Sequence, residues 1–151
     1  MQDEVLVIGL GRIGLPVALV TADSGLVVRG VDASEVSIAS LKGKKAPFEE
    51  PGLSELIEKH SGNNFLPMTW DDANATDFAN VRWIVVTIGV HVLPWPNPAD
   101  LSILHTIIDG LMARDGLKGR TLILRTTLPV GTTSLIAQHI EQTTGLEVGK
   151  D

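Results

Sequence analysis

Val5-Leu6-Val7-Ile8-Gly9-Leu10-Gly11-Arg12-Ile13-Gly14 stands near the start of the chain and decides its architecture. Four large aliphatic residues in succession suit a parallel strand covered on both faces, where an alternating pattern would mark a half-exposed one. The run stops on Gly-x-Gly-x-x-Gly, and a helix pattern follows from about Ile13 to Ala22, closing near Gly25. A second strand, Leu26 to Val31, ends at Asp32, 18 residues past Gly14. Strand, glycine turn, helix, strand and acid in this order predict a dinucleotide-binding βαβ unit. In it Gly9 permits the tight turn, Gly11 lets a pyrophosphate approach the backbone, and Gly14 lets the helix pack closely on the strand. The helix start then presents N–H groups and a partial positive charge to the phosphates. Asp32 is placed to accept hydrogen bonds from the adenosine ribose. Arg12 meets a cofactor or substrate phosphate, or is a solvated arginine at a helix start; the pattern leaves these open.

Outward from this unit, strand-length and helix-length segments keep alternating. Residues 34–42 predict a short helix stopped by Gly43, and 43–52 a Pro/Gly-rich loop. Leu53, Leu56, Ile57 and His60 then share one helix face. Phe65–Thr69 predicts a third strand, with Pro67 suited to a sheet edge. Residues 71–80 are polar and turn-rich. Trp83–Ile88 predicts the fourth strand, and a loop with Pro94, Pro96 and Pro98 follows. Asn97 as cap, Pro98 at the first helical position and Asp100 predict the start of a helix carrying Leu101, Leu104, Ile108 and Leu111. Thr121–Leu124 predicts the fifth strand, and about 133–142 the last helix; 145–151 carry no clear element. The expectation is one domain over 1–151: an α/β Rossmann fold, a doubly wound parallel sheet of five to six strands.

Composition narrows the function classes. Of 151 residues, 44% are hydrophobic and 20% charged, too apolar for a disordered chain. Eighteen acids against 12 bases give a net charge of −6, which disfavours nucleic acid and anionic membrane surfaces as partners. No apolar run approaches a membrane span. The acidic start lacks the basic and apolar regions of a secretory signal, so the expectation is cytoplasmic. Zero cysteines exclude disulfides, thiolate metal sites and a thiol nucleophile within these residues. His60, His105 and His139 fall in helices with no metal-ligand spacing, and no metal site is expected.

Four separated segments resemble the N-terminal, NAD-binding domain of the UDP-glucose/GDP-mannose dehydrogenase family. They are Gly9-Leu10-Gly11-Arg12-Ile13-Gly14-Leu15-Pro16, Gly30-Val31-Asp32, Phe48-Glu49-Glu50-Pro51-Gly52-Leu53 and Thr126-Thr127-Leu128-Pro129-Val130-Gly131-Thr132. The third and fourth, in this order, make the resemblance specific. It implies an enzyme that oxidises the C6 hydroxyl of a nucleotide sugar to a carboxylate with two NAD, in polysaccharide biosynthesis. Thr87-Ile88-Gly89 with Asn97-Pro98 and Asp100-Leu101 is most similar to the branch acting on UDP-N-acetylhexosamines such as UDP-N-acetylmannosamine.

By the same resemblance Gly9, Gly11, Arg12, Ile13, Gly14, Asp32, Thr87, Gly89 and Thr126 hold the cofactor. Thr127 is the catalytic candidate, near the nicotinamide and the reacting carbon. Val90-His91 stands where the family has Thr-Pro, which removes a hydroxyl expected near the cofactor. The family's catalytic cysteine and lysine, its sixth strand, its dimer-forming linking helix and its UDP-binding domain lie in a longer chain. The resemblance therefore implies a homodimer for a full-length protein, and for these residues alone NAD binding without sugar oxidation. The alternatives are a standalone nucleotide-sensing module and a cofactor domain of the 6-phosphogluconate or β-hydroxyacid dehydrogenase kind. The loop at 43–52 speaks against both.

Overall fold

A computed structural model describes residues 3–90, 99–114 and 116–151. Five strands form one sheet: β1 (Glu4–Ile8), β2 (Val27–Asp32), β3 (Phe65–Thr69), β4 (Val81–Val86) and β5 (Thr121–Leu124). They are ordered β3-β2-β1-β4-β5, and every pairing is parallel. The helices are α1 (Gly14–Asp23), α2 (Glu35–Lys42), α3 (Leu53–His60), α4 (Ser102–Met112) and α5 (Thr132–Thr144). This is the doubly wound Rossmann architecture. The chain builds outward from β1 to β3 and then returns to the other side of β1 for β4 and β5. The point of reversal, between the carboxyl ends of β1 and β4, is where such sheets open a ligand crevice.

The pleat sorts the apolar residues into two cores. Val5, Val7, Val28, Phe65 and Val85 face α1, α2 and α3 through Leu15, Leu19, Ile38, Leu41 and Ile57. Leu6, Ile8, Val31, Ile84 and Val86 face α4 and α5 through Leu104, Ile108, Leu111, Ile136 and Ile140. Alternate residues of β1 serve opposite cores, so the strand had to be apolar throughout. Leu6 and Val7 are fully buried, and truncating Leu6 to alanine should cost on the order of 2–5 kcal/mol. Pro67 lies on β3 at the sheet edge, in register with Gly30, as its missing N–H requires.

Several boundaries differ from expectation. β1 begins at Glu4, a charge admitted to the strand because Arg29 donates to it at 2.6 Å. β4 spans Val81–Val86, two residues earlier than the apolar run implies; Val81 is buried at its start. Thr87 still donates its backbone N–H to Ile8, but the strand geometry ends as the chain turns into the site. The polar stretch 71–80 folds one 3₁₀ turn, Ala75–Phe78, which sinks Phe78 into the second core. The largest correction is α4. Asn97 and Pro98 lie outside the described residues, and the helix starts only at Ser102. Asp100 Oδ1 accepts the Ser102 N–H at 2.9 Å, a local turn that competes with an earlier helix start.

Candidate functional site

The site grows from the glycine turn. Gly9 sits at φ +92°, a backbone shape that glycine adopts without steric cost. Its N–H donates to the Val31 carbonyl at 2.8 Å, tying the turn to the end of β2. The Thr87 hydroxyl lies 2.7 Å from the Gly9 carbonyl and 3.1 Å from that of Ile8, so it braces the turn from β4. A Cβ on Gly14 would stand 1.7 Å from the Gly9 carbonyl oxygen and 2.3 Å from Thr87 Oγ1. Gly14 is therefore demanded by packing inside the protein. Gly11 differs, since a Cβ there meets no described residue within 4 Å. The glycine at that position leaves space outside the fold.

The start of α1 has no side-chain cap and no acid in its first turn. Its own first turn thus neither masks nor opposes its positive end. Across the crevice, Asp32 closes β2 with its carboxylate held on both oxygens. The Leu10 N–H donates to Oδ2 at 2.6 Å and the Ser34 N–H to Oδ1 at 2.8 Å. Two backbone donors fix the plane of the half-buried carboxylate, and each oxygen keeps a lone pair for a further donor.

Between the ends of β1, β4 and β5 opens a cleft of about 630 Å³. Gly11, Arg12, Ile13, Thr87, Gly89, Thr126 and Thr127 line it, joined by Ile88, Leu124 and Arg125. The cleft thus brings together most of the residues expected at the site; Gly9 and Gly14 support it from behind, and Asp32 stands apart at the end of β2. Among the described residues no carboxylate lines the cleft, although the chain carries a net charge of −6. Two arginines, Arg12 and Arg125, do. These features fit an extended ligand with anionic phosphates near the α1 start and hydroxyls near Asp32.

Residues 3–150 match the model of the UDP-glucose/GDP-mannose dehydrogenase family, NAD binding domain. The chain belongs to that family. Among curated relatives, a UDP-glucose 6-dehydrogenase of Haloferax volcanii is 30% identical, aligning 97% of this chain with 34% of that protein. A UDP-N-acetyl-D-mannosamine dehydrogenase of Pyrococcus horikoshii is 33% identical over 98% of this chain and 34% of its own. A solved structure of UDP-D-ManNAc dehydrogenase from Pyrococcus horikoshii superposes with a TM-score of 0.84 at 26% identity, covering 97% of this chain and 34% of that one. The chain spans about a third of the length of the curated relatives it matches. The match is to the family's cofactor domain, and NAD is the dinucleotide it implies.

Sequence reasoning missed Arg125 and Ile88 in the cleft. Arg125 stands directly between β5 and the Thr126-Thr127 pair, so its place at the carboxyl edge was a usable signal. Val90 is described, whereas His91 lies outside the described residues. The three histidines of the helices are placed separately from the cleft. His105 and His139 do meet, ring centroids 5.4 Å apart and edge to face, and His139 Nε2 lies 2.7 Å from Asp109 Oδ1. Helix packing between α4 and α5 joins what spacing along the chain kept apart. Among the described residues no group of three is placed to hold a metal ion, and no helix is long and apolar enough to cross a membrane.

Proposed function

We propose that this chain holds NAD for a dehydrogenase that takes the C6 hydroxyl of a UDP-sugar to a carboxylate, with two NAD consumed per sugar. UDP-N-acetylmannosamine or a similar hexosamine is the substrate we favour. The named activities of the Pyrococcus horikoshii and Haloferax volcanii relatives support the UDP-sugar class. The observation that carries the reading is a cleft at the switch point of the sheet that, among the described residues, is lined by two arginines and no acid, in a chain that is acidic overall.

Gly11 gives the pyrophosphate room, and Arg12, Ile13 and the first N–H groups of α1 face it. Asp32 receives the adenosine ribose hydroxyls, its carboxylate already oriented by Leu10 and Ser34. Thr87, bonded to the turn, keeps Gly9 in place, while Gly89 and Thr126 line the far wall. NAD, when bound, supplies the electron acceptor. Thr127, exposed at the cleft wall after β5, offers a hydroxyl to orient a water or the sugar oxygen beside it. The second oxidation takes an aldehyde to an acid and needs an adduct first. These residues contain no thiol to form one. The sugar's diphosphate and that thiol belong to a further domain of a longer, homodimeric protein working in the cytoplasm.

Calorimetric titration of the 151-residue chain with NAD tests the first half of this reading, with binding expected. NADH absorbance with a panel of UDP-sugars tests the second, with no sustained signal expected from these residues alone. Two equivalents of NADH per sugar would overturn that division of labour.

A further inference from the structure

Arg12 reaches from the glycine turn to a residue the cleft itself does not include. Its guanidinium carbon lies 5.3 Å from the centre of the Phe48 ring. Phe48 belongs to the loop 43–52 between α2 and α3. It is half-buried and packs against the first core, so its ring is anchored from below. The molecule holds a second arginine stacked on an aromatic ring, and it is built differently. Arg114 lies 4.8 Å from the Trp70 ring centre while donating from Nε to the Ala73 carbonyl and from Nη1 to that of Gly110. That cation is satisfied by the protein. Among the described residues Arg12 forms no ion pair, and its guanidinium donates to no protein acceptor. Glu49 and Glu50 follow Phe48 directly, yet neither pairs with it.

An exposed arginine loses rotamer freedom when a ligand orders it, and that loss weakens binding. An aromatic face reduces the loss without occupying the donors. Stacking uses the plane of the guanidinium and leaves the N–H edge free. We propose that Phe48 is a positioning residue for the cofactor site. It holds Arg12 at the mouth of the cleft with its donor edge preset for the pyrophosphate of the dinucleotide. The proposal rests on the reading that this cleft takes NAD, and it gives the 43–52 loop a task in the site.

The test titrates the 151-residue chain with NAD and, separately, with adenosine, which shares the ribose and base but has no phosphate. Phe48→Leu keeps apolar volume on the core and removes the aromatic face; it should weaken NAD binding about two- to five-fold. Phe48→Tyr should restore it. Arg12→Ala should weaken NAD about tenfold, and adding Phe48→Leu to it should change nothing further. Adenosine should bind all of them equally. Arg12→Lys, which retains the charge on a compact head that cannot stack flat, should resemble Phe48→Leu and serves if that variant does not fold. The proposal is overturned by unchanged NAD affinity in Phe48→Leu, or by equal losses with and without Arg12. Parallel losses of NAD and adenosine also overturn it, as does wild-type affinity in Arg12→Lys. A wild-type chain that binds no NAD defeats the proposed function, and the pairing with it; NAD binding insensitive to Phe48 defeats the pairing alone.

Discussion

At the amino end of the strands, Arg29 donates from Nε to Glu4 at 2.6 Å and from Nη1 to Asp77 at 3.0 Å. Arg120, at the entry to β5, donates to the Val81 and Phe78 carbonyls at 3.1 and 2.9 Å. These cations close the molecule: they tie the 3₁₀ turn and the start of β4 to the sheet. At the carboxyl end, Arg12 and Arg125 line a cleft with no carboxylate among the described residues, beside a helix start with no side-chain cap. The same residue type is spent on the fold at one end and, on the proposed reading, kept for the cofactor at the other. Changes at the amino end should therefore register as stability, and changes in the cleft as affinity.

The sharpest challenge to this division comes from Gly14, a site residue by its motif that the structure places on the stability side. Gly14→Ala would drive a methyl group into the Gly9 carbonyl, which is backbone and cannot swing away. We expect a loss of about 3 kcal/mol or more in urea unfolding, with NAD binding lost alongside. A stable Gly14→Ala chain would show that the turn is looser than its hydrogen bonds imply.

Asp32 should act through charge. A 2′-phosphate would fall within a few ångströms of its carboxylate, and two unit charges about 4 Å apart repel by up to about 4 kcal/mol at an effective dielectric near 20. With screening, a preference for NAD over NADP on the order of 100-fold follows. Asp32→Asn should reduce it to about tenfold or less, at a stability cost of about 1 kcal/mol for the backbone N–H left facing an amide. Calorimetry with both dinucleotides reads the preference, and equal affinities in the unaltered chain would remove Asp32 from its role.

Gly11→Ala is the converse of Gly14→Ala. The added methyl meets no described residue within 4 Å, so the melting temperature should stay level or rise slightly. NAD affinity should fall about tenfold, because the methyl takes the space that the proposed reading gives to the pyrophosphate. Unaltered affinity would move the phosphates elsewhere in the cleft.

How much of this was legible beforehand depended on the range of the interaction. The Val5–Ile8 run, the glycine spacing and Asp32 are local patterns, and they locate the sheet centre and the crevice beside it. The distinction between Gly11 and Gly14 is only half local: the motif names both, but the clash at Gly14 involves Thr87, 73 residues away. Arg125 in the cleft, the His105–His139 contact and the Arg12–Phe48 stack all need side chains from distant elements to meet. Sequence spacing carries no term for that. The α4 start was misplaced for a different reason, because Pro98 is a general start signal and the Asp100 turn is a specific competitor to it.

The smallest expected effect tests the amino end. Asp23 closes α1, about 15 Å along the helix from the cleft. Its Oδ1 accepts from Lys59 Nζ at 2.5 Å and faces His60 Nε2 at 2.8 Å. The Lys59 hydrogen bond first, and then that of His60, hold the Asp23 carboxyl below its ordinary value of 3.8. A carboxyl lowered in the folded state stabilises the fold fully above its unfolded value, and that contribution fades as the pH falls through the folded one. The native chain should thus lose a small increment of stability below pH 3.8 that Lys59→Met has largely lost already. The difference between the two proteins should be present at neutral pH and shrink in acid. Both groups are substantially exposed and open to screening by salt, so the effect is the smallest in this series. Urea unfolding across the acid range measures it, and a difference independent of pH would assign it to lost packing of the lysine stem. NAD affinity at neutral pH should be the same in both. A shift there would mean that α1 transmits strain from its carboxyl end to the glycine turn, and the two ends of the sheet would no longer be separable.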